Sequence, residues 1–328
     1  MPPPTSSRRK RQRQRRRPVL PSHTRPPTIQ AKSGAHLSSK ATRNLIRSHH
    51  RLTKLRAQVS SQQQQQQQQQ RGRNNDEEIQ EIDAKIEANG GLRSYQQASK
   101  LGQSLERGGD SSRMLMDWIT PGLIQQQHFT TARRRLRVLE IGALSTRNAC
   151  STSPLVSCTR IDLNSQEPGI LQQDFMERPL PKDDSERFHL ISLSLVLNYV
   201  PTALGRGEML KRCVSFLLPS PPSSSLSAPA SAAANRFPSS LFLVLPAACV
   251  DNSRYLTDTR LSEIMAHLGF RLVRNKRTAK LIFQLWELDH RPGPHHSTTG
   301  RYAKKEMLNP GKVRNNFAII LCSGDDRG

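Results

Sequence analysis

Two short apolar runs limit the fold more than any other part of the chain. Val138-Leu139-Glu140-Ile141-Gly142 is a strand pattern closed by an acid and a glycine, and Arg160-Ile161-Asp162-Leu163-Asn164 is a second strand pattern whose aspartate follows that glycine by twenty residues. This is the layout that holds a nucleotide-type cofactor at the end of a sheet. Glycine lets the backbone approach the ligand, and a carboxylate on the next strand accepts hydrogen bonds from both ribose hydroxyls.

The rest of the chain predicts a folded domain with unfolded attachments. Its 328 residues are ample for a core, yet hydrophobic residues make up only 34% and mean hydropathy is −0.64, below the roughly 45–50% apolar content of ordinary domains. Residues 1–75 hold 18 of the 50 Lys+Arg and no Asp or Glu, so the remaining 32 nearly balance the 26 acids. The net charge of +24 is therefore mostly a tail, and such a tail favours phosphate-rich partners through counterion release. Within it, Arg8-Arg9-Lys10-Arg11 to Arg17 reads as a nuclear import signal, an RNA-phosphate contact or a merely solvated run. Gln62 to Gln70 reads as a spacer. Leu45 to Val59 could form a basic helix, if only on RNA.

Five cysteines with no C-x-x-C and no histidine at zinc-ligand spacing predict neither a disulfide framework nor a metal, and a reducing compartment. The longest apolar runs, about ten residues, fall short of the ~18 of a membrane span. No apolar leader is expected at the N-terminus. No oligomerisation seam is visible, so a monomer is expected.

Composition changes at Asp76. Isoleucines at 79, 82 and 86 give one apolar helix face, with acids at its start and Gly90-Gly91 at its stop. A second helix is predicted over Leu92 to Leu105, and a serine-capped third through Met114, Leu115 and Trp118, ended by Pro121-Gly122. Strands are predicted at Leu136–Ile141, Thr159–Leu163, His189–Leu195, Leu241–Leu245, Lys280–Glu287 and Phe317–Cys322. Helices are predicted near Leu204–Leu218 and Asp258–Leu268. The alternation predicts an α/β fold, a doubly wound, mostly parallel sheet covered on both faces. The domains are then a disordered basic and poly-glutamine tail (1–75), a helical extension (76–130) and a sheet domain (131–323) with a Pro, Ser and Ala-rich insertion at 219–240.

The loop Gly142-Ala143-Leu144-Ser145-Thr146-Arg147 has one glycine where a dinucleotide fingerprint needs three. That counts against NAD or FAD. S-adenosylmethionine has no pyrophosphate, and a sparser loop can hold it. Candidate cofactor-binding residues are Glu140, Gly142, Asp162 and, in Gln173-Asp174-Phe175, Asp174 and Phe175, where many Rossmann methyltransferases hold the adenine edge. The fourth strand ends in Leu197-Asn198-Tyr199-Val200-Pro201. Asn198 and Tyr199 are the candidate catalytic pair, the amide orienting an amino group of the target and the ring lining its pocket. The other reading of Asn198 is a cap on the following helix. No nucleophile set is visible, and methyl transfer needs none, being largely alignment.

Together these residues resemble a known family. Tyr95-Gln96-x-Ala98-Ser99, Gly102-Gln103, Arg107-Gly108-Gly109-Asp110-Ser111-Ser112, Trp118, Leu139-Glu140-Ile141-Gly142-x-Leu144-Ser145, Ile161-Asp162-Leu163-Asn164, Gln173-Asp174-Phe175, Ile191 to Pro201 and Leu241 to Pro246 are similar to the fungal 25S ribosomal RNA adenine-N1 methyltransferases. The similarity runs over about residues 92–322, and the Ser-Leu-Asn block is its most specific part. It implies a Rossmann-like class I methyltransferase, nuclear and nucleolar, that uses S-adenosylmethionine to make 1-methyladenosine in large-subunit rRNA or the pre-ribosome. It carries the cofactor contacts onto Gly142 and Asp162. A metazoan relative of this fold binds S-adenosylmethionine as a nutrient sensor. The competing reading is therefore a non-catalytic sensor or ribosome-assembly factor.

Overall fold

Side chains alternate across a strand, so a run that is apolar at every position must be covered on both faces. The central strands here come closest to that condition. The protein, as a computed structural model, is described over residues 38–66, 73–102, 109–125, 135–165, 167–219, 237–289 and 302–321, all within the compact unit of residues 36–328. Seven strands form one sheet: β1 (Leu136–Ile141), β2 (Val156–Asp162), β3 (Leu171–Gln172), β4 (Leu190–Ser194), β5 (Ser240–Pro246), β6 (Phe270–Arg277) and β7 (Leu281–Leu288), in the order β3-β2-β1-β4-β5-β7-β6.

From β3 to β5 the strands are parallel, and β7 runs antiparallel between β5 and β6. Strand order reverses between β1 and β4. In open α/β sheets that switch point opens a crevice at the carboxyl ends of the strands.

The helices are α1 (Ser39–Gln66), α2 (Arg73–Ala88), α3 (Gly91–Gly102), α4 (Ser112–Gln125), α5 (Ala149–Thr152), α6 (Ala203–Phe216), α7 (Ala248–Asp251) and α8 (Asp258–His267). Period-two alternation divides the core. Leu139, Ile141, Ile191, Leu193, Leu241 and Leu243 pack on Met209, Leu210 and Cys213 of α6 and Leu261, Ile264 and Met265 of α8. Leu136, Val138, Leu190, Phe242 and Val244 pack on Leu115, Ile119 and Leu123 of α4. The doubly wound α/β architecture is as the sequence predicts, with the antiparallel pair at one edge making the sheet mixed.

Four expectations need correction. Phe317 to Leu321 is buried but not a strand. Its backbone is bound to α6 and its surroundings, with Ile320 N–H donating to Ala203 O, Arg206 Nη1 to Ala318 O and Leu321 N–H to Tyr302 O. It lies so close that a Cβ on Gly207 would stand 1.8 Å from Ile320 O. The edge strand is β6 instead, unread because Arg271, Arg274, Lys276 and Arg277 leave it nearly without apolar signal. Such charges are how an edge strand avoids pairing with other chains.

The α4 helix continues through Pro121 to Gln125, and its first turn is held by Asp110, whose carboxylate accepts from Ser112 N–H at 2.8 Å and Ser112 Oγ at 2.7 Å. Most consequentially, α1, expected over Leu45–Val59 as a basic helix within an unfolded tail, is longer and docks on the fold. Its Leu52 and Val59 are buried against Ile82 of α2, with Ile79 and Ile86 alongside. Arg56 forms a two-bond ion pair with Asp83 at 2.7 and 3.2 Å.

Gln62–Gln66 are part of α1, whereas the rest of the glutamine run, the Arg8–Arg17 cluster and residues 220–236 of the insertion lie outside the described residues. The end of that insertion is core: Phe237 is buried and Ser240 opens β5. Among the described residues, no helix is long and apolar enough to cross a membrane.

Candidate functional site

The crevice at the switch point is built from the ends of β1, β2 and β4. Gly142, first after β1, has φ +74 and gives its N–H to Ile161 O at 2.8 Å. A Cβ there would lie 2.5 Å from Val196 Cγ2, so glycine is needed both for the backbone conformation and for the approach of the loop after β4. That loop is itself bent hard. Leu195 has φ +57, a region that costs an L-residue about 1–2 kcal/mol, and the bend carries Val196 to Gly142.

Asp162 is the last residue of β2. Its Oδ1 accepts from Asn164 N–H at 2.8 Å, the rest of the carboxylate is partly exposed, and burial raises its pKa. Asp174 follows β3 with a partly exposed carboxylate, one oxygen accepting from Met176 N–H at 2.7 Å. Gly142, Asp162 and Asp174 thus stand at successive strand ends.

Glu140 and Phe175 are placed differently. Glu140 is buried and accepts from Asn148 Nδ2 at 2.6 Å, Ser151 Oγ at 3.3 Å and the Cys150 and Cys158 thiols at 3.6 and 3.8 Å. Burial raises its pKa against the pull of those donors. It anchors the loop from Gly142 to α5 from within. Phe175 is buried against Phe216, with Arg212 Nε donating to its carbonyl at 3.0 Å.

Asn198 and Tyr199 come together beyond the bend. Helix α6 is capped by Thr202, whose hydroxyl accepts from Gly205 N–H at 2.9 Å, so Asn198 is not its cap. Among the described residues, Asn198 Oδ1 is buried with no hydrogen-bond partner. Buried polar groups are nearly always paired, so this acceptor has room for a hydrogen bond from water or a ligand. Burial raises the Tyr199 phenol.

Three features around this crevice were not read from the sequence as site features. The Gly109–Ser112 turn is pinned to it: Asp110 accepts from Ala149 N–H at 2.6 Å, and Ser111 Oγ meets Ser194 Oγ at 2.7 Å. Helix α3 crosses the β2 side, with Gln96 Nε2 donating to Asn164 O at 3.1 Å and Lys100 paired to Glu167 at 3.5 Å, while Glu167 accepts from Thr146 N–H at 3.0 Å. Its Tyr95 is pushed up by burial and feels the charge of Asp162.

Helix α1 reaches the β4 side. His50 stacks on Tyr199 with centroids 3.7 Å apart and planes 15° apart, His49 stacks on Tyr95 at 4.4 Å, and Lys54 Nζ donates to Asn198 O at 3.5 Å. The Tyr95 and Gly109–Ser112 motifs were visible as sequence. The α1 contacts carry no local signal, because nothing in a basic helix says what it lies against.

Comparison with known proteins bears on the same stretch. The family model described as Bmt2, 25S rRNA (adenine(2142)-N(1))-methyltransferase, matches residues 80–319. The 25S rRNA (adenine(2142)-N(1))-methyltransferase of Saccharomyces cerevisiae is 37% identical over 244 residues, covering 72% of this chain and 62% of that protein. The match therefore spans less than two thirds of the length of that yeast relative. The 25S rRNA adenine-N(1) methyltransferase of Schizosaccharomyces pombe is 35% identical over 277 residues, 84% of this chain and 89% of its own length.

Among solved structures, the N-methyltransferase NodS of Bradyrhizobium japonicum WM9 with S-adenosyl-L-homocysteine aligns at TM-score 0.31 and 13% identity (52% of this chain, 86% of that one). Magnesium protoporphyrin IX methyltransferase of Synechocystis PCC 6803 with bound SAM aligns at 0.33 and 12% (54% and 79%). The fold assignment rests on the strand order described above. On the extent of the family match and the identity to its yeast members, the chain belongs to the Bmt2 family of 25S rRNA (adenine(2142)-N(1))-methyltransferases.

Proposed function

We propose that the protein is an S-adenosylmethionine-dependent methyltransferase that methylates N1 of an adenine in large-subunit rRNA. The observation that carries this is one crevice with two kinds of end: a glycine and two partly exposed carboxylates at β1, β2 and β3, and an orphan amide oxygen beside an aromatic ring after β4. The named activity of the family supplies the reaction.

The residues fit the cofactor. Gly142 leaves its backbone bare, Asp162 keeps an oxygen for ribose hydroxyls, and Asp174 has one for the adenine amine. Glu140 and Phe175 serve through the backbone they hold in place. S-adenosylmethionine, when bound, supplies a methyl group on a sulfonium whose departure needs neither an added acid nor a metal. Asn198 Oδ1 accepts the N6–H of the target adenine, which leaves the N1 lone pair free and aimed by a fixed contact. Tyr199 stacks the base, and its π-face favours the positive charge that N1 acquires on methylation. No general base is required, because neutral adenine N1 already carries its lone pair. The work of the site is alignment.

The chain works as a monomer and in the nucleolus, where its basic tail meets rRNA phosphates; a fluorescent fusion spread through the cytoplasm would overturn that location. The decisive experiment is incubation with labelled cofactor and rRNA lacking 1-methyladenosine. Label at N1 of one adenine is expected. Intact cofactor binding with unlabelled RNA would sink the enzyme and leave a cofactor-binding sensor or assembly factor.

A further inference from the structure

The geometry points to α1 as a removable occupant of the target-base seat: His50 fills, on Tyr199, the place of the target adenine, and substrate RNA must lift it out. This rests on the reading of Tyr199 as the stacking platform. A centroid separation of 3.7 Å is a full face-to-face stack, and a base needs the same separation from the ring it covers. Base and imidazole therefore cannot share that face of Tyr199.

The occupant is a fair imitation of the ligand and a poorer partner. Burial, with the His49 and Lys54 charges behind it, lowers the His50 pKa to about 3, so at neutral pH the ring is a flat, uncharged heteroaromatic with a nitrogen lone pair. Yet among the described residues its Nε2 is buried without a partner, and so is Asn198 Oδ1. The stack closes the seat and leaves both polar atoms unsatisfied. An adenine stacked there donates N6–H to Asn198 Oδ1 and removes that deficit, while His50 returns to water.

The rest of α1 is built to be drawn off by a polyanion. Its sequence carries Lys40, Arg43, Arg47, Arg51, Lys54 and Arg56 with no acid, and it lies on the acid-rich α2, to which Arg56 is paired through Asp83. Arg47, Arg51 and Arg56 are exposed, and the Arg56–Asp83 pair is a surface contact that phosphate can replace. RNA thus competes twice, for the cations of α1 and for the ring of Tyr199.

The test uses the full chain, S-adenosylmethionine and an rRNA fragment lacking 1-methyladenosine. His50→Ala empties the seat and is expected to lower KM for RNA by about threefold or more with kcat unchanged, since apparent affinity scales with the fraction of open seat. His50→Phe keeps the stack and drops the orphan nitrogen, so it is expected to raise KM, which also guards against a misfolded alanine variant. Hydrogen exchange over residues 39–66 is expected to speed up on adding the RNA. Methylation by the native protein with α1 protection unchanged, or a fall in kcat in His50→Ala, would overturn the displacement and make His50 a positioning residue. If the native protein binds the cofactor but methylates no rRNA, the proposed function falls and this inference with it.

Discussion

The two halves of the crevice are held in opposite ways. On the β1 and β2 side polar groups are closed into a network: Glu140 with Asn148, Ser151 and two thiols, Asp110 with Ala149 and Ser112, Glu167 with Thr146 and Lys100, and Gln96 with Asn164. Beyond β4 the backbone is also held, with Tyr199 N–H on Val196 O at 2.8 Å, but the contacts that α1 makes with Asn198 and Tyr199 are a ring stack and one long Lys54 bond, beside two polar atoms with no partner among the described residues. Satisfied networks fix one geometry, whereas stacks with unsatisfied atoms can be exchanged at little cost. The first half is built before any ligand arrives, and on the proposal above the second trades its occupant.

Substitution separates the halves most sharply at Gly142. Gly142→Arg puts a side chain where a Cβ alone would stand 2.5 Å from Val196 Cγ2, at a φ that L-residues avoid. Calorimetry is expected to find S-adenosylmethionine binding abolished in a protein with native circular dichroism; normal binding would mean the cradle lies elsewhere. Asn198→Ala should do the reverse. Cofactor Kd stays put while kcat falls by about a hundredfold, the scale of losing a donor or acceptor aligned with the reacting base. Full turnover in that variant would leave the β4 half without its acceptor role.

Glu140→Ala probes how rigid the prebuilt half is. It strands the buried Asn148 amide inside the loop, and urea denaturation is expected to show a loss of about 1–3 kcal/mol. An unchanged midpoint would show that the network is decoration.

What could be read from sequence follows the same division. The strand ends that carry Gly142 and Asp162 were legible because they are local: a strand, Gly142, a second strand and Asp162 are all fixed by alternation and turn chemistry within thirty residues. The roles of Glu140 and Phe175 were legible as positions but not as orientations, because only the fold shows that Glu140 turns in toward Cys150 and Cys158. Strand β6 and the packed coil at Phe317–Leu321 exchanged places for one reason: apolar content tracks burial, and burial here is in a coil on α6 and not in the edge strand. The docking of helix α1 was the largest omission, its Leu45–Val59 part having been expected as a basic helix but not as part of the fold. Its mean composition is that of a tail, and the two residues that dock it, Leu52 and Val59, are meaningful only beside Ile82, some thirty residues away in the chain.

The smallest expected effect is one of pH, and it bears directly on the exchangeable half. Docked, His50 has its pKa lowered to about 3, while an undocked imidazole titrates near 6.5. The docked state therefore binds fewer protons, so the stability that His50 lends to docking is fully present above pH 6.5 and drains away as pH falls toward 3. The groups facing it are His49 and Lys54 on its own helix, Tyr95 of α3 and Tyr199. The first two are cations or potential cations that push the same way, and neither phenol is ionised in this range. Between pH 7.5 and 5.5 the docking equilibrium should weaken by up to about tenfold, less whatever the remaining exposure of the ring returns. NMR of the His50 Cε1–H in the RNA-free protein reads this out. A ring that stays neutral well below pH 6.5 keeps the seat filled, and His50→Phe should then flatten the acid dependence of KM for RNA. A His50 that titrates near 6.5 in the folded protein is not seated on Tyr199, and the contrast between a fixed half and an exchangeable one would fail at its best-defined contact.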